Sequence, residues 1–190
     1  MELTLKSLKE QAAQFEAAGI ALPEFAVAGV KKNTAEQPVW VHLGAGNIYY
    51  AFIACLQQRL LNQGLQRSGI VTFSTRSAET HERILGPHDN LELCVTLMPD
   101  TTVELEVVGA SVCDYLVNGS DAAQELKARE LFRAPSLQMV TFTITEKGYA
   151  LRDMAGAYLP QVQTDLERGP RHARHVVALA AALLYERFQA

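Results

Sequence analysis

Apolar residues recur along this chain in two periods. Short runs rich in β-branched and aromatic residues, at 39–43, 69–75, 91–97, 103–108 and 137–145, read as strands. Between them the apolar positions fall three and four apart, the spacing of helices with one buried face. Residues 4–18 show it through Leu5, Leu8, Ala12 and Phe15, ending near Gly19. Pro23 and a polar stretch at 31–38 then lead into the first strand. A second helix begins after Gly46, places Ile48, Phe52, Cys55, Leu56 and Leu60 on one face, and closes at Asn62-Gln-Gly64. Strand, helix and strand within about 35 residues is the size of a βαβ unit.

The pattern continues with a helical turn at 78–85, a break at Pro87-His-Asp-Asn90, and two β-rich runs around Met98-Pro-Asp-Thr-Thr102. These runs read as a hairpin inserted in, or added to, a parallel sheet. Helices follow at 120–132, with Ser120 as N-cap, at 161–168, and at 171–189 after Pro170. The fold class is therefore α/β: a Rossmann-like, mostly parallel sheet flanked by helices, with an added β-hairpin. Residues 1–37 read as a helical extension and 38–190 as a dinucleotide-binding domain. The last helix reaches Ala190 with no glycine cap and no following strand, so the pattern reads as truncated before a further domain.

Composition narrows the function. In 190 residues, 48% are hydrophobic and 20% charged, enough for a core and a wetted surface. A net charge of −4 gives no electrostatic footprint for nucleic acid. The longest apolar stretch, 176–185, falls short of the roughly twenty residues a bilayer requires. The first residues lack the basic and apolar regions of a signal peptide. The expected setting is cytoplasmic, without membrane association. Cys55, Cys94 and Cys113 are scattered, without the spacing of a thiolate zinc site or a disulfide framework, and read as buried thiols. His81 with His88, and His172 with His175, lack the further ligands zinc needs, so no metal is expected.

The candidate chemistry gathers at the strand ends. Gly44-Ala45-Gly46-Asn47-Ile48 joins the first strand to a helix, where glycines admit a pyrophosphate and first-turn N–H groups point at it. Tyr49 stands where the third glycine of the dinucleotide fingerprint would be. Asn47 reads either as a helix cap or as an amide donor to a phosphate. Arg76 and Ser77, after the second strand, suit a ribose 2′-phosphate or are simply solvated, and no acid stands there before Glu79. Thr143, Thr145, Glu146 and Tyr149 lie at and beyond the C-terminal end of the strand at 137–145. No nucleophile elbow or Ser-His-Asp order is present.

Three segments carry a family resemblance: His42-Leu-Gly-Ala-Gly-Asn-Ile, Pro87-His-Asp-Asn90 and, most specifically, Thr143-Ile-Thr-Glu-Lys-Gly-Tyr149. Over about residues 38–190 the chain resembles the N-terminal domain of the mannitol dehydrogenase family, the polyol-specific long-chain dehydrogenases and hexuronate reductases. The resemblance implies a domain binding NAD or NADP, joined to a mostly helical domain that holds the catalytic lysine and acts on a polyol or sugar acid. No catalytic residue is expected in this chain, and Lys147 is not the equivalent of that lysine. Members commonly carry Arg where Tyr50 stands and Asp near Ser77. Two other readings compete: a degenerate, non-catalytic nucleotide-binding or assembly module, and a methyltransferase, which leaves the Thr-Glu-Lys-Gly-Tyr segment unexplained.

Overall fold

The computed structural model describes residues 2–75, 78–115 and 122–190. The chain runs through α1 (Leu5–Glu10), α2 (Ala12–Ala17), β1 (Ile20–Ala21) and α3 (Val27–Glu36) into β2 (Trp40–Leu43). A helix follows that opens with a π-type turn (Tyr49–Ala54) and continues as α4 (Cys55–Asn62), leading to β3 (Ile70–Ser74). A second π-type turn (His81–Leu85) and a 3₁₀ turn (Gly86–His88) precede β4 (Glu92–Leu97), β5 (Val103–Val108) and β6 (Ser111–Tyr115). Then come α5 (Ala122–Arg133), β7 (Met139–Phe142), α6 (Glu146–Tyr149), α7 (Pro160–Arg168) and α8 (Val176–Gln189).

Four strands form the main sheet in the order β6-β3-β2-β7, all parallel. This is the doubly wound α/β arrangement expected, with strand order reversing between β2 and β7. Alternation along the strands sorts the two faces. Val41, Leu43, Val71 and Phe73 pack with Ala128 and Phe132 of α5 and with Leu179, Ala180 and Leu183 of α8. Ile70 belongs to the cluster on the opposite face, with Val30 of α3 and Tyr49, Ala54, Cys55 and Leu61 of the π-turn and α4. Glu186 joins α8 to α5 through Arg129 and Arg133, and the Arg187 guanidinium donates to the carbonyls of Phe132, Ala134 and Leu137 at the end of α5. Orphan carbonyls at a helix C-terminus favour such a cation.

The expected hairpin forms, but it does not join the parallel sheet. β4 and β5 pair antiparallel, and β1 adds to β5 in parallel, making a separate three-stranded sheet. The polar stretch before β2 is the end of a helix, α3, with Val27, Val30 and Thr34 buried at helical spacing. Thr34 Oγ1 accepts from the N–H of Gly69 at 2.7 Å, and a side chain at Gly69 would strike the Ala110 carbonyl. The strand β6 was not foreseen, and the Ser120 cap lies outside the described residues. The final helix starts later than its pattern suggested. The Asp165 carboxylate takes the N–H groups of Arg174 and His175, which halts the chain before α8.

The helix after Gly46 buries a different face from the one its periodicity indicated. Ile48 is 70% and Phe52 59% exposed, with Leu56 and Leu60 also at the surface. Inside lie Tyr49, Ala54, Cys55, Gln57, Gln58 and Leu61. The cause is polar demand beneath the helix. The Tyr49 hydroxyl meets Ser111, Gln57 donates to the Ser68 carbonyl, and Gln58 bonds both the Val107 carbonyl and the Gly109 N–H. Buried backbone groups left unpaired are costly, so the face that satisfies them wins over the more apolar one. Tyr49→Ala should therefore cost about 3–5 kcal/mol in urea unfolding, while Phe52→Ala should stay within about 0.5 kcal/mol of the parent. The reverse ranking would return the apolar stripe to the core.

Candidate functional site

The site grows from the end of β2. Gly44 adopts φ +108°, and a Cβ there would lie 2.4 Å from the Thr143 carbonyl oxygen, so only glycine fits. The N–H groups of Gly44 and Ala45 both donate to the Phe73 carbonyl, at 3.0 and 3.3 Å, turning the chain sharply. The Gly46 N–H then reaches back to the Gly44 carbonyl at 2.8 Å, and the helix begins at Asn47. A Cβ at Gly46 would meet nothing within 4 Å. Gly46, Asn47 and Ile48 are exposed, so the unpaired N–H groups of the first helical turn face open space.

Beneath this turn lies a half-buried relay across β2 and β7, centred on the buried His42. Trp40 Nε1 donates to Thr141 Oγ1 at 2.7 Å, and Thr141 Oγ1 lies 2.7 Å from His42 Nδ1. His42 Nε2 lies 2.9 Å from Thr143 Oγ1, whose hydroxyl donates to the Gly44 carbonyl at 2.6 Å. With the Thr143 proton used on Gly44, its oxygen accepts from Nε2–H, and Nδ1 accepts from Thr141. The network thus assigns a neutral imidazole with the proton on Nε2. Burial supports this by pushing the His42 pKa down to about 4. The ring also stacks on Tyr49, centroids 4.4 Å apart. His42 is thereby a positioning group beneath the glycine turn.

The turn opens on a cleft of about 830 Å³ at the C-terminal ends of the strands. Gly44, Ala45, Gly46, Asn47, Ile48 and Thr145 all line it, together with Thr143 and Tyr149. Ser74 and Thr75 bring in the end of β3, and Tyr50 a residue of the helix. Among the described residues none that lines it is charged, although the whole chain is acidic. Glu146, at the start of α6, stands exposed beside the cleft and does not line it. Arg76 and Ser77 lie outside the described residues. A smaller hollow of about 250 Å³ adjoins at Thr75, Ile144 and Thr145 and is bordered by Lys147 and Arg174.

Tyr50 is half-buried, and its hydroxyl turns inward to Cys113 Sγ at 3.7 Å. It does not take the place of an arginine directed at phosphates. His88 bonds the Leu3 carbonyl, and His175 accepts from the Val177 N–H as the cap of α8. Reading the sequence missed His42, Ser74 and Thr75 as parts of the candidate site. The signal for His42 was present: a polar residue inside an apolar strand, matched by the alternate threonines of Thr141-Phe-Thr143.

A parallel sheet in this order, with a glycine turn and a helix N-terminus where the order reverses, defines the Rossmann-like class of nucleotide folds. No family model matches the chain. The D-mannonate oxidoreductase of Thermotoga maritima is 41% identical over 190 residues, all of this chain and 35% of its own length. The polyol:NADP oxidoreductase of Gluconobacter oxydans is 28% identical over 158 residues, 82% of this chain and 29% of that protein. Among solved structures, the Pseudomonas fluorescens mannitol 2-dehydrogenase ternary complex with NAD and D-mannitol matches all of this chain and 36% of its own, with TM-score 0.77 and 26% identity. D-sorbitol dehydrogenase in substrate-free form shares the fold, with TM-score 0.73 and 23% identity over 90% of this chain and 34% of its own. Over its whole length the chain is similar to one part of these oxidoreductases, in keeping with the resemblance to the N-terminal domain of the mannitol dehydrogenase family. It spans about a third of the length of the curated relatives it matches.

Two outcomes test the relay. Thr143→Val should cost about 1–3 kcal/mol, because it leaves His42 Nε2–H buried and unpaired, and urea unfolding reads this. The second concerns pH. The His42 pKa is lowered on folding, so the unfolded chain binds the extra proton first as pH falls. The contribution of His42 is therefore complete above about pH 6.5 and is lost toward pH 4. His42→Gln should show a shallower decline across that window than the parent.

Proposed function

We propose that this chain is the NAD(P)-binding domain of an oxidoreductase that interconverts a polyol or sugar acid and its keto form by hydride transfer. The observation that carries this reading is the cleft where the strand order reverses, opening on the glycine turn and the helix N-terminus. The residues fit a dinucleotide: the backbone at Gly46 is bare, and the first-turn N–H groups are free to meet an anion. Gly44, Ala45, Gly46, Asn47 and Ile48 hold the pyrophosphate in this proposal. Arg76 and Ser77 serve the adenosine ribose, and Thr145 and Glu146 the nicotinamide side. When bound, the nicotinamide gives or takes the hydride; the protein supplies position and polarity.

Residues 38–190 form the cofactor-binding unit in this reading, with 1–37 as its extension. The acid/base group for proton transfer comes from the additional length that the relatives possess. That length also provides the substrate site and covers the exposed stripe of Ile48, Phe52, Leu56 and Leu60. No described helix is long and apolar enough to cross a membrane. The inward turn of the Tyr50 hydroxyl favours a second reading, an assembly module whose cofactor corner has decayed.

Calorimetric titration with NADH and, separately, NADPH distinguishes the two. Saturable binding is expected, weakened at least about tenfold, or about 1.4 kcal/mol, by Gly46→Val. The protein itself leaves room for that side chain, so the loss reports the ligand. A preference for NADPH that vanishes in Arg76→Ala would place the 2′-phosphate at Arg76. Folded protein that binds neither nucleotide, even when restored to the full length of its relatives, would favour the decayed module.

A further inference from the structure

Folding brings together two of the three cysteines, although 38 residues separate them in the chain. Cys55 opens α4, and Cys94 lies on β4 directly opposite Glu106 of β5. Cys55 Sγ, Cys94 Sγ and a Glu106 carboxylate oxygen all lie within 4.8 Å of one another. Cys55 is buried, while Cys94 and Glu106 are half-buried, so the cluster has a protein floor and a route to solvent.

We propose that Cys55, Cys94 and Glu106 form a binding site for a soft divalent d¹⁰ cation, zinc by chemical class, with water as the fourth ligand. Two thiolates and a carboxylate are a donor set that such an ion accepts, and it has no preferred geometry beyond a tetrahedron. Bonds of about 2.0–2.3 Å separate tetrahedral ligand atoms by about 3.3–3.8 Å. Small side-chain rotations close the present cluster to that size. The Cys55 thiol donates to the Tyr50 carbonyl at 3.3 Å, and its proton leaves when the sulfur takes up the cation. Binding exchanges the two thiol protons for the ion and releases them to solvent, with no change of oxidation state.

A second observation supports a built site. The Gln58 side-chain amide, itself buried, donates to Glu106 Oε2 at 3.3 Å and to the Val107 carbonyl at 2.8 Å, and its oxygen accepts from the Gly109 N–H. Outer groups of this kind orient a ligating carboxylate. The ion would clip the helix that carries the glycine turn to the separate β1-β5-β4 sheet. It would act as a structural cross-link nine residues beyond Gly46, independent of the cofactor cleft.

The test uses the reduced chain under anaerobic conditions, with thiols counted first and cadmium and zinc as probes. One cadmium per chain should bind, with a thiolate-to-metal ultraviolet band, and one zinc should survive gel filtration and raise the thermal midpoint. Cys94→Ser should abolish the band, and Cys113→Ser should keep it. Glu106→Gln, at a half-exposed position that the fold tolerates, should weaken cadmium at least about tenfold. A folded, fully reduced parent that retains no metal would overturn the proposal, as would unchanged binding in folded Cys94→Ser or Glu106→Gln. So would a reduced chain that ignores metal but, given a mild peroxide, converts Cys55 and Cys94 to a disulfide.

Discussion

Everything at the mouth of the cleft depends on one hydrogen-bonded line, from the Trp40 indole through Thr141, His42 and Thr143 to the Gly44 carbonyl. It crosses between β2 and β7, the two strands where the sheet order reverses. Such a crevice opens because neighbouring connections leave in opposite directions, and so the strands beside it lack a helix above them. The relay supplies the rigidity that a covering helix would otherwise give. It also leaves Gly44 no room for a side chain, since Thr143 presses against it. A single arrangement thus determines the turn, the start of the helix and the position of its free N–H groups.

The same face of the sheet is unusually polar for an interior, and the molecule resolves this by pairing. Ser111, Gln57, Gln58 and Tyr49 satisfy one another or the backbone. Burial raises the Glu92 carboxyl to about 8, with Lys31 and the Cys113 thiol opposing that rise. Asp89 and Asn90, both in the left-handed region, tie this interior to the N-terminal segment. Asp89 accepts from the Leu5 N–H and, through its carbonyl, from Lys31, while Asn90 accepts from the Cys113 N–H of β6. The helices before β2 are therefore built into the second face of the sheet, with Val30 and Thr34 at its centre.

Much of this was legible before folding. The run from Trp40 to Gly46 announced a buried strand meeting a glycine turn, because strand and helix periods change within a few residues there. The Thr-Ile-Thr-Glu-Lys-Gly-Tyr segment pointed to the family of the relatives, and six of its seven residues, all but Glu146, line the cleft or the hollow beside it. By contrast, α3 was hidden because its buried face is one residue wide, at Val27, Val30 and Thr34, and is interrupted by Lys31, Lys32 and Asn33. The strand β6 was hidden because Ser111, Cys113 and Asp114 are polar or small, and their burial is justified only by partners far along the chain.

The chain by itself determined the local alternation of strands and helices, the sharp turn at Gly44, and the acidic, apolar-rich balance of a folded domain. These follow from steric and hydrophobic preferences that act over a few neighbouring residues. Tertiary structure decided which face of the helix after Gly46 turns inward, where the hairpin pairs, and that Cys55 meets Cys94 and Glu106. Those outcomes rest on satisfying buried polar groups contributed by distant segments. Periodicity records how apolar residues repeat, but it carries no information about which carbonyl or hydroxyl will lie beneath them.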